Sequence, residues 1–265
     1  MNLEILGLLL LLGVFAGITA GLLGLGGGVI IVPVLVWLFR TIIPVPPDSL
    51  MHIAVGTSLA TIVVTSSSSI LSHHRRGAVL WSAAKKLAPG LVIGTLIGSI
   101  IADSLASDTL KTVFGIFLLF VAFQIGFGAQ PPSHRQLPNW QESLLAGSGI
   151  GILSGLVGIG GGSLTVPFLT WCNVSIRHAV ATSAACGLPI AITGTIGFII
   201  NGWHLNEQLI WNSGYIYWPA FMAIVPTSLL FAPVGAKLAH IIPLTLLKKI
   251  FALFLVSMGL EMLLT

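Results

Sequence analysis

Charged residues are scarce in this chain. Only 7% of its 265 residues are Asp, Glu, Lys or Arg, whereas a soluble domain contains about 25%. Eleven basic and seven acidic side chains are too few to cover the surface of a 27.8 kDa globule in water. Together with 55% apolar residues and a mean hydropathy of +1.05, this scarcity predicts an integral membrane protein and excludes a soluble enzyme.

The residues that several chemistries require are also missing. Cys172 and Cys186 lie in apolar stretches without a Cys-x-x-Cys or His/Cys cluster, so neither a disulfide scaffold nor a metal site is expected. The sequence has no Walker A motif for ATP. It has no pair of inward carboxylates, and no Asp, Glu, Lys or Arg falls in the middle of an apolar stretch. We therefore expect no catalytic residue, no metal and no cofactor. The net charge of +4 comes from bases at segment ends, which indicates membrane orientation rather than nucleic-acid binding.

Long apolar stretches dominate what is present. A polar, Pro-rich linker at 129–142 divides the chain into a first transmembrane repeat, 1–128, and a second, 143–265. Glu4 stands where a secretory signal would have a basic residue, so the first stretch is expected to be a mature membrane segment. The eight apolar stretches, several of them long enough to span a bilayer, lie at about 3–39, 50–72, 87–102, 110–128, 143–172, 178–200, 214–239 and 245–264.

The two halves are internal repeats. When residues 13–37 are aligned with 147–171, 13 of 25 positions are identical. Two further blocks agree in the same order, which predicts a duplication of the kind found in secondary transporters. The shared motif comprises Gly24, Gly26, Gly27, Gly28, Val32, Pro33, Leu35 and Trp37 in the first half and Gly158, Gly160, Gly161, Gly162, Val166, Pro167, Leu169 and Trp171 in the second. The second block pairs Thr57 and Ser58 with Thr182 and Ser183.

The charges distinguish parallel from inverted repeats. If each Gly-rich stretch crosses the membrane once, each half has four spans and the basic residues divide 5 to 6 between the two sides. If each stretch turns back at its glycines, each half has five passes. Nine of the eleven basic residues then lie on one side and six of the seven acids on the other, in agreement with the positive-inside rule. We therefore predict an all-α polytopic membrane protein with 5+5 inverted passes and both termini outside.

The Gly-rich turns are the first candidate site. Glycine permits a positive φ and lets a ligand approach the backbone, and the N-terminus of the helix that follows is suited to an anion. Pro33 and Pro167 are expected to break the helices there. Tight packing of a hairpin is the alternative, but the duplication of the turn favours substrate binding. From the inverted symmetry, we expect both turns to contribute comparably.

The duplicated hydroxyls are the second candidate site. The pairs Thr57-Ser58 and Thr182-Ser183 lie within apolar segments, where neutral donors suit a desolvated oxyanion. Buried Ser and Thr also bond back to their own helix, so a purely structural role is the alternative. The predicted substrate-binding set is Gly24, Gly26, Gly27, Gly28, Thr57, Ser58, Gly158, Gly160, Gly161, Gly162, Thr182 and Ser183.

The doubled Gly-x-Gly-Gly-Gly-x3-Val-Pro-x-Leu motif, followed by Ala-Val-x-Thr-Ser, resembles the TauE/SafE family of sulfite and organosulfur-anion exporters over essentially the whole chain. The resemblance implies a multi-pass permease of a bacterial-type inner membrane for sulfite, sulfoacetate or similar anions. The repeats predict transport by alternating access. The expected partners are a small anion and the lipid bilayer, without nucleic acid or an ATPase subunit, and the oligomeric state is open. An anion channel or a non-transporting membrane subunit are the alternatives.

Overall fold

The apolar stretches fold as α-helices, because a helix satisfies its own backbone N–H and C=O groups without water. The computed structural model describes residues 3–23, 27–127, 138–207, 211–238 and 244–264. In these ranges the helices are α1 (Leu3–Leu23), α2 (Gly28–Thr41), α3 (Leu50–Arg75), α4 (Trp81–Ser104), α5 (Ser107–Phe127), α6 (Trp140–Val157), α7 (Gly162–Trp171), α8 (Ile176–Asn201), α9 (Trp218–Leu238) and α10 (Leu244–Leu264).

The connections are short. A 3-10 turn at Pro47–Ser49 precedes α3, and another at Trp203–Glu207 follows α8. Between α8 and α9, the strands β1 (Asn212–Ser213) and β2 (Ile216–Tyr217) form an antiparallel hairpin in which Asn212 pairs with Tyr217 and Ser213 with Ile216.

Six of the described helices, α1, α3, α4, α5, α8 and α9, are long and apolar enough to cross a membrane. This confirms the prediction of an all-α polytopic membrane protein. The helices α2 and α7 have only 14 and 10 residues, which corresponds to about 21 and 15 Å at 1.5 Å per residue. Neither reaches across a hydrocarbon core of about 30 Å by itself.

The first apolar stretch of each half is interrupted at its Gly-rich segment. Residues 24–27 separate α1 from α2, and residues 158–161 separate α6 from α7. The prediction that Pro33 and Pro167 break these helices is wrong, because both prolines lie inside α2 and α7. Each is the sixth residue of its helix, where the missing N–H removes one bond near the N-terminus and the helix continues. In the second half, Gly158 directly follows α6, nine residues before Pro167, and Gly161 directly precedes α7.

The helix α3 lies at the centre of the protein. All of its residues from Met51 to Ile62 are buried, as expected of a helix that other helices surround. It packs against α8, the equivalent helix of the second half, and also contacts α2, α5 and α9. The hydroxyl pairs Thr57-Ser58 and Thr182-Ser183 both lie in this central pair of helices, and none of the four side chains is more than 1% exposed.

The first helix of each half packs against the fourth helix of the other half. These contacts join α1 to α9 and α6 to α4, and glycines line both. A Cβ added to Gly151 would lie 2.5 Å from the Leu91 carbonyl oxygen, and one added to Gly17 would meet the Ser228 carbonyl oxygen. Since only a residue without a Cβ permits such an approach, glycine is what brings these membrane helices into backbone contact.

Candidate functional site

Three glycines of the Gly-rich segments have backbone angles that other residues rarely adopt. Gly27 precedes α2 with φ 71° and ψ −25°, and Gly161 precedes α7 with φ 75° and ψ −9°. Gly158 follows α6 with φ 71° and ψ 32°. All three are in the left-handed region, where a Cβ is strained. Of the predicted site glycines, Gly24 and Gly26 lie outside the described residues.

Each turn leads into a helix that has no side-chain cap at its N-terminus. In α7, the N–H groups three and four residues after Gly161 donate to its carbonyl oxygen at 3.1 and 2.7 Å. The N–H groups of Gly162 and Ser163 precede them and have no acceptor within the helix. The helix α2 begins in the same way, with the Gly27 carbonyl oxygen as acceptor at 3.0 and 3.1 Å. Both helix starts therefore present N–H groups and a positive dipole end.

The two turns come together inside the protein. The Ser58 hydroxyl donates to the Gly158 carbonyl oxygen at 2.9 Å. A Cβ added to Gly28 would lie 2.7 Å from that same oxygen and 3.1 Å from Ser58 Oγ. On the other side, a Cβ added to Gly187 of α8 would lie 2.6 Å from the Gly160 carbonyl oxygen. The fold thus brings Gly28, Ser58 and Gly158, three predicted site residues from two halves, into direct contact.

The predicted threonines bind the backbone of the opposite half. Thr57 Oγ1 accepts a hydrogen bond from the Tyr217 N–H at 3.0 Å, and Thr182 Oγ1 accepts one from the Leu80 N–H, also at 3.0 Å. Tyr217 and Leu80 immediately precede α9 and α4. Each threonine therefore fastens the start of the fourth helix of one half to the third helix of the other. This is a structural contact across the halves rather than a bond within one helix.

Buried hydroxyls without a hydrogen-bond partner occur in both halves of the described structure, where Thr95 of α4 and Thr195 of α8 are two of them. Four others lie in α6, α7 and the first part of α8, and none of these four residues is more than 3% exposed. Only Ser183 belongs to the predicted set, and the sequence analysis missed the other three. Among the described residues, no partner is found for the side-chain oxygens of Ser154, Ser163, Thr165 and Ser183. Because a buried hydroxyl loses its bonds to water without compensation, each of these groups needs an explanation.

The repeat alignment contains a signal for the three missed residues. At their positions the first half has apolar side chains, so the halves differ there in polarity while agreeing in the surrounding glycines. In order, Ala20, Val29 and Ile31 align with Ser154, Ser163 and Thr165. The positions at which the repeats differ therefore indicate where the second half has hydrogen-bond donors that the first half lacks.

A polar cluster fixes the β1–β2 hairpin on α3 and α4. The Tyr215 hydroxyl donates to Asp103 Oδ1 at 2.8 Å, and the ring stacks on His52 with centroids 5.0 Å apart. His52 Nε2 in turn lies 2.9 Å from the Ala102 carbonyl oxygen. Burial, and after it the hydrogen bond to Asp103, raise the pKa of Tyr215. The phenol therefore stays protonated and donates a hydrogen bond to the carboxylate, which is a structural arrangement.

A cavity of about 540 Å³ opens beside the C-terminal end of α2. Two bases and two acids are among its lining residues, which are Arg40, Lys111, Asp108 and Glu261. Lys111 Nζ lies 3.7 Å from Asp108 Oδ1. Arg40 and Lys111 are the two basic residues that the five-pass arrangement assigns to the outer side. Since the formal charges in the cavity balance, the cavity has no net charge to attract an anion. It is also separate from the first glycine turn, because Gly27 lies at the other end of α2.

Comparison with known proteins assigns the family. Residues 9–262 match the model of the family described as "Sulfite exporter TauE/SafE". The chain belongs to this family. It is 37% identical to a "Probable membrane transporter protein" of Haemophilus influenzae, over 96% of this chain and 97% of the relative. A protein of the same description from Methanocaldococcus jannaschii is 30% identical, over 98% and 96% of the two chains. YunE of Bacillus subtilis is 28% identical, over 96% of each.

The family assignment agrees with the resemblance found in the glycine motif. Together with the apolar helices, it makes the chain a multi-pass membrane protein of a transporter family. The transporter names of these relatives agree with the prediction that the TauE/SafE protein described here is not an enzyme.

Thr182→Val tests the contact between the halves. The substitution keeps the side-chain shape and leaves the buried Leu80 N–H without its acceptor, so we expect a loss of about 1–3 kcal/mol in the free energy of unfolding. Thr170→Val is the control, because that hydroxyl donates to the Pro167 carbonyl oxygen of its own helix, and its effect should be within about 0.5 kcal/mol. Thermal unfolding in detergent compares the two variants. Equal melting temperatures would contradict the structural role of Thr182.

Proposed function

We propose that the chain is a secondary transporter that moves small sulfur-containing oxyanions, such as sulfite or sulfoacetate, across the inner membrane by alternating access. The observation that carries this proposal is the pair of left-handed glycine turns. Each turn directly precedes the N-terminus of a helix at a buried contact between the two halves. The family description names sulfite, and the named relatives are membrane transporters.

Neutral donors suit such a substrate. The charge of a sulfite or sulfonate group resides on oxygens that accept several hydrogen bonds, and bonds to a charged acceptor are about twice as strong as neutral ones. The available donors are the N–H groups at the starts of α2 and α7 and the hydroxyl of Ser183, because the Ser58 hydroxyl already donates to the Gly158 carbonyl oxygen. The Gly-rich segments and these two helices contain no Asp or Glu, so no carboxylate within them opposes an anion.

Thr57 and Thr182 position the helices that form this proposed site. Their hydrogen bonds to Tyr217 and Leu80 hold each fourth helix on the central helix of the other half. The hydroxyls of Ser58 and Ser183, one residue further along, are then placed between the halves. In this role the threonines set the relative position of the repeats, and the Ser183 hydroxyl and the turn backbones contact the anion.

We also propose the inverted arrangement, with five passes in each half and both the start of α1 and the end of α10 outside. Three observations support it. Each Gly-rich segment lies between two separate helices, so each half contains five of the described helices, an odd number, with the short α2 and α7 counted as one pass each. The charge distribution gathers nine of the eleven basic residues on the inner side, as the positive-inside rule requires. The exchanged contacts, α1 with α9 and α6 with α4, relate the halves symmetrically.

Gly161→Val tests the transport proposal. Valine is strained at φ 75°, and its Cβ would collide with the Ile190 side chain, so the variant should insert in the membrane but move no anion. Gly149→Val is the control, because a Cβ there meets no atom within 4 Å. Uptake into proteoliposomes is measured for sulfite, sulfoacetate, sulfate and chloride.

The wild-type protein and Gly149→Val should exchange at least one sulfur oxyanion. Transport by Gly161→Val at the wild-type rate would contradict the role of the turn. Ohmic currents without counterflow of substrate would show that the protein is an anion channel and not a transporter. Absence of any oxyanion movement by correctly folded wild-type protein would overturn the proposed function.

Cysteine labelling tests the topology. In a background without Cys172 and Cys186, both of which are buried, single cysteines replace the exposed residues Arg75 and Trp203. Five passes in each half place position 75 in the cytoplasm and position 203 outside, so a membrane-impermeant maleimide added to whole cells with a permeabilised outer membrane should label only position 203. Four passes place both positions on the same side. Equal labelling of the two positions would therefore contradict the inverted arrangement.

A further inference from the structure

The start of α7 is surrounded by unsatisfied donors. The hydroxyls of Ser154, Ser163 and Thr165 are 2%, 3% and 0% exposed, and within the described ranges no acceptor is found for any of them. Buried Ser and Thr in helices ordinarily donate to a carbonyl three or four residues earlier, as Thr170 does in the same helix. These three hydroxyls do not. Their donors are therefore available to a ligand that the fold encloses.

The hydroxyls of Thr165 and Ser154 lie close to the left-handed glycine of the turn. A Cβ added to Gly161 would lie 3.4 Å from Thr165 Oγ1 and 3.8 Å from Ser154 Oγ. Ser163 is the second residue of α7, and its own N–H is one of the two without an acceptor in the helix. Three hydroxyls and two N–H groups thus belong to one turn and one helix start. The residues come from two helices, α6 and α7, that the turn holds together.

The first half lacks this arrangement. The equivalent residues are Ala20, Val29 and Ile31, of which the last two are each 1% exposed, so the start of α2 has an apolar surrounding. It also faces protein acceptors. The Cβ position of Gly28 is 2.7 Å from the Gly158 carbonyl oxygen, a group of partial negative charge beside the positive end of the helix. The chain itself occupies the place that an anion would take there.

We propose that the oxyanion binds at the start of α7, where Ser154, Ser163 and Thr165 donate hydrogen bonds to its oxygens beside the N–H groups of Gly162 and Ser163. The turn of the first half then acts as a packing partner, so the two turns contribute unequally although the repeats are symmetric in their glycines. This inference rests on the proposed function, since it names the residues that select the substrate.

The donor set also indicates the class of anion. All five donors are neutral, and neither α7 nor the stretch 143–157 of α6 contains a charged residue. The cost of desolvating an ionic group rises steeply with its charge, so neutral donors favour a singly charged group over a doubly charged one. Several donors arranged around one turn require a group with several oxygens. A sulfonate group or hydrogensulfite meets both conditions, whereas chloride lacks the oxygens and sulfate carries both charges on one group. In sulfoacetate the second charge resides on a separate carboxylate, so the sulfonate is the group that these donors bind.

Thr165→Val tests the site with two readouts. The substitution removes a buried hydroxyl without a partner and keeps the shape, so the melting temperature of the anion-free protein should stay the same or rise. The dissociation constant for sulfoacetate should increase about tenfold if one donor to a charged group is lost. Binding is measured by calorimetry on the purified full-length protein in detergent, with sulfoacetate, sulfite and chloride as probes. Ser163→Ala should show the same combination of unchanged stability and weaker binding.

Two variants are matched controls for Thr165→Val. Ile31→Val changes the equivalent buried position of the first half, and Thr170→Val removes a hydroxyl of the same helix that already has a protein acceptor. Both should bind sulfoacetate as the wild-type protein does. If the hydroxyl of Thr165 is structural, Thr165→Val lowers the melting temperature and leaves the affinity unchanged, and the inference is overturned.

The outcomes separate this inference from the proposed function. Wild-type transport of sulfoacetate together with normal binding by Thr165→Val and Ser163→Ala would reject the assignment of the site and leave the function standing. Tight binding of sulfoacetate that both substitutions weaken, without any transport in proteoliposomes, would support the site and reject the transporter. Absence of binding of any sulfur oxyanion by the wild-type protein would reject both.

Discussion

Backbone polar groups that lie away from water must find partners within the protein, and this constraint organises the molecule around its two glycine turns. Helices satisfy nearly all such groups, but the starts of α2 and α7 interrupt the pattern and leave N–H groups inside the fold. The protein buries both turns against its central helices α3 and α8. At the first turn, the carbonyl oxygen of Gly158 and the Ser58 hydroxyl lie beside the helix start. At the second, the neighbouring side chains are donors, and the proposed anion would supply the acceptor that they lack.

The contacts between the halves also depend on glycine. Glycines allow α1 to touch α9 and α6 to touch α4 through their backbones, while Thr57 and Thr182 bind the chain just before α9 and α4. The helices that pack together therefore come from different repeats.

The sequence was informative where two copies of a motif agree and misleading where one residue type has two roles. The repeated glycines identified the interruptions of the helices, because a left-handed turn tolerates little else. The prolines were assigned to the same interruptions, although a proline near a helix start is compatible with the helix. The threonines were recognised as duplicated, but their partners lie more than a hundred residues away and only the fold reveals them. Identities between the repeats do not reveal Ser154, Ser163 and Thr165, because the first half has apolar residues at the aligned positions.

The central claim is that the second turn holds the transported anion. Crystals of the protein grown with selenite, a heavier analogue of sulfite whose selenium scatters anomalously, locate the anion directly. The account predicts one anomalous peak within hydrogen-bond distance of the Gly162 and Ser163 N–H groups and the Thr165 hydroxyl. A peak that instead lies in the outer cavity beside Arg40 and Lys111, with none at the start of α7, would contradict it.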